Sequence, residues 1–413
     1  MSIIDTTASD SKVSNAQEAA EMAADACVRA KENGTFGVGA ILVENSTGKV
    51  LAISLNEVLS DGKVKDPTGH AERQIIDWYY EQTNSLGRSF PKPNELTIVS
   101  SLDPCMMCCG ASLTANFNVV SMTYDKFAGV SGVGDGNFSA LPNELKLQAK
   151  RLLSYFAIKD KRDFSGTNDA LFATDVITPE VEKRAVDAFY SSFDNTHKIV
   201  SASEGVAVDG LLNPATLPAD HPVINALRHF DTDAVTVKTS YEKPDKEIMP
   251  ALLKNANAAK SAGNTFNAVS IVDRFGNVLM TMVGNEGKSP IRTALMELTR
   301  AYASVREQAG ADDLRYLPHP KYLKFVSLVG SGKDGVSVMD LGAYGSTVHG
   351  EIPKSNSIPF QYIIPKQDPN ELDKMVSKFP PLYSDAIKIA PKQVEDIELK
   401  RLGEKAAFQM SGV

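Results

Sequence analysis

The sequence predicts an α/β layered fold, with a diverged second copy of the same unit in its C-terminal half. Two observations carry this expectation. Over the first 125 residues, helical and strand patterns follow one another as helix, two strands, helix, strand, helix, strand, an order that calls for a sheet covered by helices. Three segments of that unit then return in the same order. AAKSAGNTFNAVSIVDRFGNVL echoes RAKENGTFGVGAILVENSTGKVL, TALMELTRAYA echoes HAERQIIDWYY, and PHPKYLKFVSL echoes PKPNELTIVSS, at offsets of 230, 223 and 227 (Thr35 to Thr265, His70 to Thr293, Pro91 to Pro318). A chain of 413 residues is long enough for two cores.

Each element has a local reason. Residues 1–13 read as a frayed tail. Asn15 and Glu18 resemble a capping box, opening an Ala-rich helix that stops at Asn33 and Gly34. Cys27 shares a face with Ala20, Ala23 and Ala30, so it reads as core. GVGAILVENSTGKVLAISLNEV makes two strands around an Asn-Ser-Thr-Gly turn. Thr68 can cap a helix through HAERQIIDWYYEQT, and ELTIVSSL is the next strand. Asp103 can cap a following helix that carries CMMCCGASLTA, with Pro104 at its first position. VVSMTYD is a further strand, and GVSGVGDG a flexible loop. The expected organisation is a catalytic unit over 1–150, an interdomain segment with helical stretches over 151–240, a second unit over 241–366 and a helical tail over 367–413.

Composition narrows the function classes. The net charge of −8 offers no broad field for a phosphate backbone. The N-terminus lacks a basic region followed by an apolar one, and no run reaches the about 18 apolar residues of a membrane span. Three of the four cysteines fall within five positions, which suits a metal cluster in a reducing compartment better than a disulfide framework. The expectation is a cytoplasmic protein with no membrane partner.

The chemistry is concentrated in His70-Ala71-Glu72 and Pro104-Cys105-Met106-Met107-Cys108. Cysteines three apart at a helix start put both sulfurs on one face, and a helix N-terminus favours the thiolate that a metal binds. With His70 they form a two-sulfur, one-nitrogen set suited to zinc, and three protein ligands leave the fourth position open as in a catalytic site. Zinc lowers the pKa of water to roughly 7. Attack of such a hydroxide on an amino-substituted ring carbon would also need a group that carries the water's proton onward, and Glu72 fits that role better than a fourth ligand. A purely structural site would recruit Cys109, but that residue points elsewhere on the helix and leaves Glu72 unexplained.

The H-x-E and P-C-x-x-C pair is the signature of zinc nucleobase deaminases. Together with FGVGAILV, Asn56, TIVSSL and YDKFAGVSG, it makes residues 16–135 resemble the cytidine deaminase superfamily, in the branch of the tRNA adenosine, guanine and cytosine deaminases. The resemblance implies a three-layer α/β/α fold and zinc-dependent hydrolytic deamination. It implies His70, Cys105 and Cys108 as metal ligands, Glu72 as catalytic group, and Asn56 and the backbone at Ala71 as substrate contacts. Asp103 stands where the tRNA enzymes usually carry Glu, Phe36-Gly37-Val38-Gly39-Ala40 replaces their Pro-Val-Gly-Ala, and EQTNSLGRSFPKPN is inserted; these departures bear on substrate identity.

The expected substrate is an amino-substituted purine or pyrimidine, as free base, nucleoside or related small heterocycle. The alternative is an editing deaminase acting on RNA or single-stranded DNA, which the YDKFAGVSG stretch favours and the acidic charge opposes. A non-catalytic subunit is a third reading, opposed by the intact motifs. In the second unit Thr293 and Leu295 stand at the positions of His70 and Glu72, and no cysteine lies beyond Cys109. The second unit is therefore expected to lack chemistry and to pack on the first as an intramolecular pseudo-dimer, helping to wall its pocket. His349-Gly350-Glu351 reads as a chance repeat of the motif letters, GSGKDG as no phosphate loop, and His197, His221, His229 and His319 as surface or core residues.

Overall fold

The computed structural model describes residues 3–131, 136–163, 170–356 and 358–410. The first sheet contains β1 (Ile3–Asp5), β2 (Gly39–Glu44), β3 (Val50–Leu55), β6 (Leu96–Ser100), β7 (Asn118–Ser121) and β8 (Leu153–Tyr155), in the order β1-β3-β2-β6-β7-β8. Two short pairs lie apart from it, β4 (Leu59–Ser60) with β5 (Lys63–Val64), and β9 (Ala157–Ile158) with β10 (Val176–Ile177). Strand β2 is antiparallel to β3 and β6, whereas β6, β7 and β8 run parallel.

Alternation along β2 explains the layers. Ile41 and Val43 face a core shared with helices α1 (Ala16–Glu32) and α5 (Pro179–Ala202). Ala40 and Leu42 face α2 (Ala71–Tyr80) and α3 (Met106–Ala115). The helix α4 (Asn143–Leu152) leads into β8. Asn15 caps α1 as expected, accepting from the Glu18 N–H at 2.9 Å.

Residues 265–393 repeat this connectivity. The second sheet has the order β12-β11-β13-β14-β15, from β11 (Ala268–Val272), β12 (Val278–Val283), β13 (Lys324–Val329), β14 (Phe360–Ile364) and β15 (Lys392–Gln393). Again the first hairpin strand is antiparallel to its neighbours and the later strands are parallel. Helices α8 (Ala294–Gln308) and α9 (Gly335–Val348) cover the face toward the first half, while α7 (Met249–Ser261) and α11 (Ile397–Met410) cover the other. Two further helices, α6 (Pro222–Phe230) and α10 (Pro369–Val376), complete the chain. The repeat extends to single hydrogen bonds. The Asn118 amide donates to the carbonyls of Asn94 and Leu96, and the Asn356 amide to those of Lys321 and Leu323.

The halves meet where α3 crosses α9. A Cβ on Gly110 would lie 2.3 Å from the Met339 nitrogen, and one on Gly342 would lie 2.2 Å from the Met107 nitrogen. Both glycine and methionine pairs are 232 residues apart, so each half makes the contact that the other half makes in return (107 to 339, 110 to 342). That reciprocity characterises two-fold packing. Beside this crossing, Arg300 of α8 reaches Asp77 of α2 at 3.2 Å and Asp66 at 3.5 Å.

Several expectations are corrected. Residues 3–5 are not frayed but pair with β3. Thr68 and Asp103 are not caps; His70 and Cys105 occupy those positions, Met106 rather than Pro104 opens α3, and the Thr68 hydroxyl donates to Asp66. The helical pattern at 142–156 breaks at Leu153, because Leu153–Tyr155 completes the first sheet. Described parts of the expected interdomain segment 151–240 include β8, paired with β7, and α5, packed on α1. Within the expected tail over 367–413, β15 joins the second sheet and Leu399 of α11 enters its core. In GVSGVGDG, residues 132–135 lie outside the described residues. Among the described residues no helix is long and apolar enough to cross a membrane.

Candidate active site and metal centre

Two helix N-termini converge at the C-terminal end of β6. His70 is the N-cap of α2 and Cys105 the N-cap of α3, while Glu72 and Cys108 lie within the first turns. The ligand atoms of His70, Cys105 and Cys108 all lie within 4.8 Å of one another. His70 uses Nδ1, 3.4 Å from the Cys105 sulfur. Cys109, buried in the core between α3 and the sheet, is not part of the cluster.

Burial and mutual contact shift these groups in different directions. The hydrogen bond from Cys108 holds the Cys105 thiol well below its usual pKa, and His70 adds to this against the opposing effect of burial. Burial pushes Cys108 up, as does the neighbouring Cys105. Burial also raises Glu72, reinforced by Cys105 and opposed by His70. The Ser100 hydroxyl at the end of β6 donates to Glu72 Oε1 at 2.9 Å, and the Cys108 thiol donates to Oε2 at 3.4 Å. Two sulfurs and one imidazole nitrogen in this cluster fit zinc.

A cavity of about 530 Å³ opens over His70, Glu72 and Cys105. Asn56 stands in its wall, 3 % exposed. Its Oδ1 accepts from the Val58 N–H at 3.0 Å and the Thr35 hydroxyl at 2.8 Å. A backbone N–H can only donate, so the oxygen is fixed there and the amide NH₂ is left as the remaining donor. Ala71 is fully buried between His70 and Glu72 and does not line the cavity, so only its backbone is placed to contribute.

The loop after β7 forms another wall. Its Val130 N–H donates to the Pro104 carbonyl at 2.9 Å. Asp103 braces this arrangement: burial raises its carboxyl to about 8, and it accepts from the Tyr155 hydroxyl at 2.7 Å. Gly129 is required here, since a Cβ would lie 2.3 Å from Asp103 Oδ2.

The sequence predicts that the second half helps to wall the pocket, but it singles out neither α5 nor the residues that do so. From α5 come Phe189, Tyr190, Phe193 and His197; from the second half come Gly345, Ser346, His349, Leu382 and Ala386. Phe36 lies 6.1 Å from Phe193 and 6.3 Å from His349, and the His197 and His349 rings are 5.7 Å apart. His197 and His349, read as incidental from the sequence, are therefore pocket residues. The aromatic spacing at 189, 193 and 197, one residue per turn, was the available signal for α5. In the second half the α3–α9 register makes Ser337 and Asp340 the counterparts of Cys105 and Cys108 (337 − 232 = 105, 340 − 232 = 108). Thr293 caps α8 as His70 caps α2, and its hydroxyl donates to Asp340 at 2.5 Å. A hydrogen-bonded polar cluster thus stands where the first half carries its ligand cluster.

The family model for the cytidine and deoxycytidylate deaminase zinc-binding region matches residues 13–123. A comparison with curated proteins finds no match. Similar solved structures include a tRNA:A34 deaminase studied for A-to-I editing at the wobble position of transfer RNA, at 20 % identity over 37 % of this chain and 96 % of that one, TM-score 0.24. They also include a guanine deaminase from Nitrosomonas europaea, at 13 % identity over 44 % and 86 %, TM-score 0.29. A guanine deaminase from Bacillus subtilis is 25 % identical over 30 % of this chain and 71 % of that one, TM-score 0.23. The family match and the His70, Cys105 and Cys108 cluster agree: residues 13–123 of this chain carry a deaminase zinc-binding region.

Proposed function

We propose that the protein hydrolytically deaminates a small amino-substituted purine or pyrimidine, as free base, nucleoside or related heterocycle, and that residues 241–366 form a degenerate deaminase-like unit. The observation carrying the substrate reading is the enclosure: the ligand cluster lies in a cavity of about 530 Å³ walled by α5, by the loop after β7 and by the second half. Its single lysine is Lys126, and it contains no arginine among the described residues, so the cavity walls offer a polynucleotide backbone little positive charge. The aromatic groups suit a flat ring.

His70, Cys105 and Cys108 would hold the metal. When bound, zinc supplies the Lewis acidity that makes water a nucleophile near neutral pH. The chain's own groups do the rest. Asn56, its oxygen fixed from behind, donates its amide to a ring or sugar oxygen. Glu72 takes one proton of the attacking water and delivers it to the ring nitrogen, then carries the proton of the newly added hydroxyl to the departing amine, so that the oxygen stays on carbon as a carbonyl. Carbon gains oxygen, the C–N bond breaks, and ammonia leaves. Burial suits Glu72 to holding that proton in transit. Ser100 keeps its carboxylate oriented.

Ammonia release across a panel of bases, nucleosides and nucleotides tests this reading. Turnover of at least one free small heterocycle is the expected result. Activity confined to tRNA or single-stranded DNA, with a steep salt dependence of binding, would establish the editing alternative instead.

A further inference from the structure

A second cavity, of about 350 Å³, lies at the seam between the halves. Its walls come from α5, from α8 and from the turn that His319 opens, so neither half forms it alone. Ile199 and Val200 of the first half and Ala303 and Leu314 of the second give it an apolar lining. Two donors in it lack a matching acceptor. His319 is 4 % exposed, and its Nδ1 accepts from the Lys321 N–H at 3.3 Å. A backbone N–H can only donate, so Nδ1 carries no proton and the imidazole keeps its proton on Nε2. Among the described residues nothing accepts from that Nε2–H. Arg306, the next donor in the wall, donates to the Leu317 and Ser203 carbonyls. These satisfy two of its five N–H groups and none of its charge, and among the described residues it has no ion pair. Glu307 also lines the cavity, but Lys63 there offsets it, which leaves the Arg306 charge over.

We propose that this cavity is a binding site for a small anion, whose phosphate or carboxylate oxygens accept from Arg306 and from the His319 Nε2–H. A cation in apolar surroundings without a counter-charge is costly. Water could accept from His319 but would leave that charge in place, whereas an anion answers both groups with charge-assisted hydrogen bonds. Val58, Pro67, Ser346 and His349 line this cavity and the catalytic one alike, so an anion bound here touches the wall of the catalytic cavity. The site itself needs neither zinc nor a deaminase substrate, and it stands or falls apart from the substrate reading above.

The test titrates the full-length protein with sodium phosphate and with sodium hexanoate by calorimetry, at constant ionic strength made up with chloride, and follows the melting temperature in parallel. At least one of the two anions should bind and raise the melting temperature above the chloride reference. Phosphate alone would mark the site as one for a phosphoryl group, hexanoate alone as one for a carboxylate with an apolar body. His319→Asn keeps an acceptor for the Lys321 N–H but deletes the Nε2–H, and Arg306→Gln removes the charge; each should weaken binding by about tenfold or more. Cys105→Ala, which removes a metal ligand from the other cavity, should bind the anion as wild type does. The proposal is overturned if neither anion binds, or if both cavity variants bind within twofold of wild type. It is equally overturned if binding disappears in Cys105→Ala and survives in the two cavity variants, since the anion would then sit on the metal.

Discussion

Replacing Gly342 by alanine sets two effects against each other. In a helix interior, glycine to alanine ordinarily stabilises by roughly 0.5–1 kcal/mol. Here the new Cβ would lie 2.2 Å from the Met107 nitrogen and 2.7 Å from both the Met106 carbonyl carbon and the Met107 Cα. These are backbone atoms of a helix, and no rotamer change relieves them. Ordinary carbon contacts begin near 3.5 Å, so α9 must withdraw from α3 by about 1 Å. Overpacking of a close-packed core costs about 1–3 kcal/mol, more where the backbone itself must move. The steric cost should win, giving a net loss of about 1–2 kcal/mol. The displaced atoms directly follow Cys105, so zinc content or turnover should fall with stability. Thermal and urea unfolding with metal analysis measure both. Adding Gly110→Ala should cost less than the sum of the single changes, because both open the same seam. A Gly342→Ala protein that is more stable than wild type and fully active would refute this account of the crossing.

Four further outcomes are expected. Glu72→Gln keeps the Ser100 contact and should retain zinc while losing about 10²–10⁴-fold in turnover; substantial residual activity, or loss of metal, would remove Glu72 from the shuttle role. Asn56→Asp preserves the acceptor for Val58 and Thr35 but deletes the amide donor, so kcat/KM should drop about tenfold or more with zinc unchanged, and an unaltered value on the true substrate would end that assignment. His349 is held by burial at a pKa of about 4 instead of 6.5, so as pH falls through this window the unfolded chain gains a proton that the folded one refuses, and up to about 3 kcal/mol of stability is lost. His349→Asn, which tolerates the backbone φ of 42°, should flatten that part of the pH–stability curve, and a curve parallel to wild type would contradict the linkage. Finally, a fragment of residues 1–205 retains β8 and α5 but bares the α3 seam, so it should aggregate or lose activity; a soluble, zinc-loaded and fully active fragment would show that the second half is dispensable.

The candidate ligand cluster was legible in the sequence because it depends on short-range spacing. Cys105 and Cys108 share a helix face, and His70 and Glu72 share one helix start, so the motif and the local geometry are nearly the same information. Element types were legible wherever periodicity was strong, as in α1, β2 and β3. What escaped depended on distant partners. Leu153–Tyr155 continues a helical pattern in composition and becomes a strand because β7 offers it an edge. Asp103 has the right residue type for a cap, yet its carboxyl goes to Tyr155. His349 and Leu382 reach the pocket only through the packing of the two halves, and no local pattern around either position encodes that. The Met-x-x-Gly pairs of α3 and α9 were present in the sequence, but their significance depends on knowing that the two helices cross.

The contact between Asp77 and Arg300 has a consequence for how the two halves recognise each other. By the helix echo these residues are counterparts (70 to 293, 77 to 300), yet one is acidic and the other basic. At a two-fold seam, counterparts near the axis meet each other. A first half pairing with another first half would set Asp77 against Asp77, and a second half pairing with its own kind would set Arg300 against Arg300. Only the mixed arrangement joins opposite charges, at 3.2 Å. Discrimination of this kind needs a penalty on the wrong pairing as well as a reward for the right one. Produced as separate polypeptides, the halves should therefore choose one another over themselves, and exchanging the two residues between them should leave that choice intact while charge reversal at either one alone should erode it.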